Sequence, residues 1–222
     1  RELERNEGTP GEDLVLTIDA DVQNFIQARV GEESAAVIVM DVTNGDIVAC
    51  VSAPSFDPNL FVRGISARDY GVLTENDHKP LANKVVQGGY PPGSTFKMVT
   101  ALAALNAGVI SLDDHVNCPG YLEFGDRKMP NREWKQQKYK QDWRIGDTIN
   151  AAIGQGYVLA TPLQLCVMAA RLATGRAVQP RLVRQVGGQD VPLPEAESLD
   201  IDGSILRSIR EGMSQVMNGQ HG

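Results

Sequence analysis

The chain has 222 residues, 42% of them hydrophobic, and is therefore long enough to bury a core as one large domain or two small ones. Its formal net charge of -7 argues against a nucleic-acid partner and against an anionic membrane surface, since both would require a basic face. No apolar run approaches the ~20 residues of a membrane span, so we expect any membrane anchor to lie outside this chain.

The first elements follow a charged start. Residues 1–13 contain two glycines and a proline among charged side chains, which is typical of a linker or the tail of a preceding module. We expect the domain proper to cover residues 14–222. A strand is predicted over residues 14–18, and acidic residues at 19 and 21 can then cap a helix with apolar residues at helical spacing, namely Val22, Phe25, Ile26 and Val30.

The clearest local prediction is a β-hairpin. Residues 35–42 and 47–52 are apolar, and Asn44-Gly45 lies between them, a dipeptide that supplies two positive φ angles. An antiparallel sheet follows from this pairing. Because helix-periodic segments surround the hairpin, we predict an α/β protein of the α+β type, with a central antiparallel sheet flanked by helices.

The middle of the chain leads into one prominent helix. Residues 53–89 are rich in loop signals, with a short helix predicted near residues 66–73. Pro91-Pro92-Gly93 then breaks the backbone, and an apolar helix is predicted to begin at or next to Ser94. It should end at residues 106–108, where Gly108 is a typical helix terminator.

Ser94 and Lys97 are the candidate catalytic residues. Residues three apart on a helix are neighbours, which brings the Lys97 amine within reach of the Ser94 hydroxyl. A serine becomes a nucleophile when a base removes its proton, and a lysine can be that base if its pKa is lowered. The positive end of a helix and apolar burial would both lower it. The alternative is a capping serine beside an ordinary helical lysine.

Two charged clusters have simpler interpretations. The basic cluster alternates with acidic and amide residues, which favours a solvated face; it comprises Arg132, Lys135, Lys138, Lys140 and Arg144. The other cluster superficially resembles a metal site, but short mixed clusters in turn-rich segments are more often caps. Its members are Asp113, Asp114, His115 and Cys118.

The last third of the chain alternates turns and helices. Residues 147–153 lead into Gly154-Gln155-Gly156, and Thr161 with Pro162 then signals a helix start, with Gly175 as its stop. A strand is predicted at residues 181–184 and a loop over residues 186–199. Asp202 or Gly203 could cap a final helix.

Four strings in this order resemble the transpeptidase domain of class B penicillin-binding proteins. They are DPNLFV at 57–62, YPPGSTFK at 90–97, MPNREWK at 129–135, and GQG at 154–156 followed by TPLQ at 161–164. The third string is similar to the elongation-specific branch of the family. The resemblance covers the chain from about Gly11 to its end and makes a catalytic Ser94 the favoured interpretation.

The resemblance implies a penicillin-binding-protein or serine β-lactamase-like fold and a D,D-transpeptidase without cofactor or metal. Ser94 would be the nucleophile and, through its backbone N–H, an oxyanion donor; Lys97 would be the general base. The implied partners are peptidoglycan stem peptides, β-lactams and membrane proteins of the elongation complex such as a glycosyltransferase. The implied location is the periplasmic side of the bacterial inner membrane.

The chain also departs from the family pattern. The second motif, S-x-N or S-x-D, is absent from its expected place, and the third, K-T-G or K-S-G, is expected beyond Gly222. Ser111-Leu112-Asp113 and Ser198-Leu199-Asp200 match the letters of the second motif but are interpreted as caps or turns. We therefore expect a missing segment between Gly125 and Pro130, so that Lys128 and Met129 are not true neighbours.

Three functional alternatives remain at this point. The first is a transpeptidase, the second is a catalytically incomplete scaffold that binds partners of the elongation complex, and the third and weakest is a β-lactamase.

Overall fold

The computed structural model describes residues 8–115, 135–136 and 139–219. Within these residues the chain divides into two compact units. The first is formed by the chain up to Val85 together with Arg176–Glu197, and the second by Val86–Gly175 together with the chain from Ser198 onward. Each unit has its own buried residues.

The first unit is an α+β structure. Every strand pair in it is antiparallel: β2 with β3, β1 with β4, and β4 with β5. These pairs form one two-stranded sheet and one three-stranded sheet, and the predicted α+β class is confirmed. In chain order the elements are β1 (Leu14–Leu16), α1 (Ala20–Val30), β2 (Ala35–Met40), β3 (Ile47–Ala53), α2 (Asn59–Val62), α3 (Ala67–Thr74), β4 (Val183–Val186) and β5 (Gln189–Asp190).

The predicted hairpin is present, but its turn differs in detail. β2 and β3 pair from Ala35 opposite Ala53 to Val39 opposite Ala49, and after a one-residue shift of register Met40 lies opposite Ile47. In the connection, the N–H of Gly45 donates to the carbonyl of Asp41 at 2.8 Å, and only Gly45 has a positive φ, of 83°. The expectation of two positive φ angles was wrong, because a longer connection spreads the reversal over more residues than a two-residue turn does.

Strand β3 forms the core of this unit, with α1 lying against it. Its side chains alternate, so that Ile47, Ala49, Val51 and Ala53 are buried, as expected of a strand with one face on the core. The side-chain amide of Gln23 in α1 donates to the carbonyl of Cys50 at 2.9 Å and accepts from its N–H at 2.8 Å. Backbone groups of β3 that would otherwise lack a partner are thereby satisfied.

Thr17 and Asp46 link the two sheets. The hydroxyl of Thr17 donates to the carbonyl of Ile47 at 2.7 Å, while its backbone N–H donates to that of Leu182 at 2.9 Å. β1 ends at Leu16, two residues earlier than predicted, and Thr17 bonds both to β3 and to the residue that precedes β4. The carboxylate of Asp46 accepts from Arg181 at 2.5 Å and from Arg184 at 3.1 Å.

The region after β4 was predicted as loop and is partly strand. β4 begins and ends two residues later than the predicted strand of residues 181–184. β5, which pairs with β4, lies inside the predicted loop of residues 186–199. Gly187 and Gly188 both have positive φ, 55° and 79°, and form the turn between these strands. The sequence prediction overlooked this Gly-Gly turn signal.

The second unit is mostly helical. Most of its helix ends lie where the capping residues in the sequence predicted them. α4 ends before Ala107 and Gly108, and α6 begins after Thr161 and ends before Gly175. Asp202 caps α7. The elements are a 3₁₀ turn (Gly93–Phe96), α4 (Lys97–Asn106), α5 (Ile145–Ala152), α6 (Pro162–Thr174) and α7 (Gly203–Asn218).

Helix α7 packs against both α4 and α6 in this unit. Leu206 of α7 is buried, and the guanidinium of Arg210 donates to the carbonyl of Leu172 at 3.1 Å. Across the described parts of the chain, no helix is long and apolar enough to span a bilayer.

Candidate active site

Ser94 lies in the 3₁₀ turn, and Lys97 is the first residue of α4, which continues this turn without interruption. The N–H of Lys97 donates to the carbonyl of Ser94. Gly93, at the start of the turn, has φ of 58°. The Pro-Pro-Gly break therefore places Ser94 at the beginning of the helical segment, as predicted.

Both candidate side chains are exposed. Among the residues that the structure describes, no hydrogen bond joins the Ser94 hydroxyl to the Lys97 amine, and the Lys97 side chain is exposed rather than buried. The pairing of amine with hydroxyl therefore stays a prediction. An accessible hydroxyl three residues from an amine is nevertheless an arrangement suited to nucleophilic acyl transfer.

The chain entering the turn is held by a short antiparallel bridge. The N–H of Tyr90 donates to the carbonyl of Ala160, and the N–H of Ala160 donates to the carbonyl of Tyr90, both at 2.9 Å. Ala160 immediately precedes Thr161, which forms a capping box with Gln164 at the start of α6. The start of α6 is thus fixed beside the segment that leads to Ser94.

The loop Gly154-Gln155-Gly156 supports the turn from another side. The N–H of Gly93 donates to the carbonyl of Gly154 at 2.8 Å. A Cβ on Gly154 would overlap the carbonyl oxygen of Gly93 and lie 2.6 Å from the Cβ of Phe96. Gly154 also has φ of 69°, so both its conformation and this close approach require glycine.

Two threonine hydroxyls complete the support of the turn and of α4. Thr95 donates to the carbonyl of Pro92 at 2.6 Å, and Thr100 donates to the carbonyl of Ala152 at 2.9 Å. The second bond joins α4 to the C-terminal end of α5. The turn that carries Ser94 is therefore bonded to the Gly154 loop, the α4 helix that follows it is bonded to α5, and the segment that precedes it is bonded to Ala160 before α6.

Lys135 occupies an environment that the sequence prediction missed. Its side chain is 3% exposed, and its ammonium lies 2.6 Å from the Asp147 carboxylate. The ammonium also lies over the Tyr157 ring, 5.5 Å from the centroid. The interpretation of the basic cluster as a solvated face was wrong at Lys135, although Lys140 and Arg144 are exposed; Arg132 and Lys138 lie outside the described residues.

Asp147 connects this ion pair to the start of α5. Its carboxylate also accepts the N–H of Arg144 at 2.7 Å. The Lys135 ammonium, together with that N–H, holds the pKa of Asp147 below its usual range. Trp143 donates from its indole N–H to the hydroxyl of Thr148 at 2.9 Å and lies against the Tyr157 ring.

The cluster that superficially resembles a metal site, at Asp113, Asp114 and His115, makes the contacts of a turn. The Asp114 carboxylate accepts from the N–H of Ser111 at 2.9 Å and from its hydroxyl at 2.8 Å. These bonds hold the pKa of Asp114 below its usual range. His115 contacts the carbonyl of Asp113. Within the described ranges no three potential metal-ligating side chains come together, and Cys118 lies outside those ranges.

The two strings that match the letters of the second motif also form turns. Ser111 takes part in the turn closed by Asp114, and the hydroxyl of Ser198 accepts the N–H of Asp200 at 3.3 Å. The segment 129–134 and the missing segment expected between 125 and 130 lie outside the described residues.

A family model for the "Penicillin binding protein transpeptidase domain" matches this chain over residues 35–145 and 137–222. The peptidoglycan D,D-transpeptidase MrdA of Escherichia coli is 31% identical over an alignment that covers 100% of this chain and 46% of that protein. The chain thus spans less than half the length of this curated relative.

Solved structures give the same relationship. The PBP2 of Pseudomonas aeruginosa in complex with WCK 5153 is 31% identical, with a TM-score of 0.86 over 96% of this chain and 64% of that one. The complex between PBP2 and MreC from Helicobacter pylori gives 25% identity and a TM-score of 0.79, over 93% of this chain and 50% of that one. The resemblance predicted from the four strings is confirmed, and the chain belongs to the penicillin-binding protein transpeptidase domain family.

Proposed function

We propose that the protein carrying this chain is a peptidoglycan D,D-transpeptidase of cell-wall elongation, with Ser94 as its nucleophile and Lys97 as its general base. The observation that carries this proposal is the exposed Ser94 in a turn that directly precedes Lys97, in a chain of this family. Hydrogen bonds of Tyr90, Gly93 and Thr95 fix this turn. A nucleophile held in a fixed position reacts faster, because little orientational freedom has to be lost.

In this mechanism the Ser94 hydroxyl attacks the penultimate carbonyl of a D-Ala-D-Ala stem peptide while its proton passes to the Lys97 side chain, which acts as the general base. The tetrahedral oxyanion is stabilised by the backbone N–H of Ser94, which belongs to the first turn of a helical segment, where N–H groups lack an intrahelical acceptor. The peptide bond breaks as the leaving D-alanine amine takes up the proton. An amine of a neighbouring stem then attacks the acyl-enzyme carbonyl; the new amide bond forms as the ester bond to Ser94 breaks, and a proton from the amine passes to the Ser94 oxygen.

The partners and the location follow from the same proposal. Stem peptides are the donor and acceptor, and β-lactams acylate Ser94 as mimics of the donor. A relative from Helicobacter pylori was solved in complex with MreC, which supports assembly of this protein with other proteins of the elongation complex. We place its action on the periplasmic side of the bacterial inner membrane, with an anchor outside this chain.

We also propose that this chain lacks an internal segment of the family domain. The alignment with MrdA covers 292 positions, 70 more than the residues of this chain, and the family model matches in two stretches. Both facts support a segment missing from this chain, although the two matched stretches meet at residues 137–145. We propose the gap between Gly125 and Pro130, within a domain of residues 14–222 that follows a linker of residues 1–13. A protein that truly lacked the second and third motifs would acylate slowly, since one oxyanion donor alone is worth ~100- to 1,000-fold.

Nitrocefin distinguishes the alternatives when it is added to the complete protein. The transpeptidase hypothesis predicts a burst of one equivalent of opened β-lactam followed by slow release. Continuous turnover would instead identify a β-lactamase. Absence of any burst in folded protein would favour a scaffold that binds partners without catalysis.

A further inference from the structure

Lys135 lies where two distant segments of the second unit meet. Its ammonium pairs with Asp147 near the start of α5 and lies over the Tyr157 ring, which follows the Gly154-Gln155-Gly156 loop. A cation within about 6 Å of an aromatic centroid is attracted to the ring face, and burial strengthens that attraction. One buried side chain therefore contacts both the beginning of α5 and the loop after its end.

The segment between these two contacts is the one that supports Ser94. The carbonyl of Ala152 at the end of α5 accepts from Thr100, and the carbonyl of Gly154 accepts from the N–H of Gly93. The loop is further tied to α5 through the N–H of Gln155, which donates to the carbonyl of Asn150 at 2.7 Å. A shift of α5 or of the loop would therefore move the turn that carries Ser94.

We propose that Lys135 is a positioning residue for acylation, which fixes α5 and the Gly154 loop by its contacts with Asp147 and Tyr157 and so holds Ser94 in its reactive position. This inference rests on the proposed role of Ser94 as nucleophile. A lysine used only for stability would not need to contact both ends of the element that supports the nucleophile. Removal of the ammonium should release both ends together.

The test compares Lys135→Met with Lys140→Met in the complete protein. The two lysines lie close in sequence, but Lys140 is exposed. Stopped-flow measurements with a fluorescent penicillin give the first-order acylation constant at saturation, and the final labelling gives the fraction of reactive protein. We expect Lys135→Met to lower the constant about 10- to 100-fold, the range caused by small misplacements, with final labelling still near one equivalent. Lys140→Met should match the wild type.

A purely structural role would give a different result. Lys135→Met would then lower the thermal midpoint or the labelled fraction while the acylation constant of the remaining folded protein stayed normal, and the inference would be overturned. If wild-type protein is not labelled at Ser94 at all, it is the proposed function that fails.

A second pair of variants applies if Lys135→Met does not fold. Tyr157→Phe retains the ring face that Lys135 contacts, whereas Tyr157→Leu removes it. The inference predicts a near-normal acylation constant for Tyr157→Phe and a constant at least tenfold lower for Tyr157→Leu. Equal constants in the two variants would contradict it.

Discussion

The backbone N–H of Gly93 donates a 2.8 Å hydrogen bond to the carbonyl oxygen of Gly154, which ties the turn holding Ser94 to a glycine loop distant in sequence. A Cβ on Gly154 would overlap the Gly93 oxygen at this contact. The reactive position of Ser94 therefore depends on a residue that takes no part in the chemistry.

Gly154→Ala is expected to disturb this contact. The substitution strains a residue with φ of 69° and forces the loop away from the turn, at a cost of about 1 to 3 kcal/mol. We expect a lower unfolding midpoint and slower labelling by a fluorescent penicillin. Gly146→Ala in α5 is the matched control, since no atom lies within 4 Å of the added Cβ. Equal behaviour of the two variants would contradict the proposed support of the turn.

Thr161→Ala removes the cap of α6 next to the Tyr90–Ala160 bridge. The Thr161 hydroxyl accepts the N–H of Gln164 at 3.2 Å, and loss of such a cap typically costs about 1 kcal/mol. Thr161→Ser retains the oxygen and should keep most of the stability. Chemical denaturation of the three proteins checks this, and equal losses in the Ala and Ser variants would mean that the cap is not the cause.

Asp46 should make the protein sensitive to acid. A hydrogen bond from Arg181, helped by Arg184, holds the pKa of this buried carboxyl below its usual range. A lowered folded-state pKa gives stability that is present above the unfolded-state value near ~3.9 and is lost as the pH falls through the folded-state pKa. We expect Asp46→Asn to cost about 3 kcal/mol at neutral pH, because it leaves a largely buried arginine without its charge partner.

The difference in stability between the wild type and Asp46→Asn should therefore narrow below about pH 4. Urea unfolding between pH 2.5 and 7 measures this difference. Asp77→Asn, at an exposed position, is the control and should stay close to the wild type throughout. If the difference in free energy of unfolding between the wild type and Asp46→Asn were constant over this pH range, the assigned role of the ion pair would be refuted.

Features set by local chemistry could be predicted from the sequence. The ends of α1, α6 and α7 follow Asp19, Thr161, Gly175 and Asp202, because a cap acts within a few residues of itself. The hairpin of β2 and β3 was also predictable from its apolar runs. The spacing of Ser94 and Lys97 is equally local, and it led directly to the candidate site.

Features set by contacts between distant segments could not be predicted in this way. Lys135 belongs to a charged stretch whose alternating pattern predicts a solvated face. Its burial depends on contacts with Asp147 and Tyr157, which lie too far along the chain for a local pattern to reveal. The bonds of Gln23 to Cys50 are of the same kind. The support of Ser94 by Gly154 could have been suspected only from the two glycines of the loop.

The central claim is that Ser94 is the residue acylated by β-lactams. Intact-mass spectrometry of the complete protein after incubation with a penicillin tests it directly, with Ser94→Ala and, as a control serine from a turn, Ser198→Ala. We predict one adduct on the wild type and on Ser198→Ala, and none on Ser94→Ala. An adduct on folded Ser94→Ala, or none on folded wild-type protein, would contradict this account.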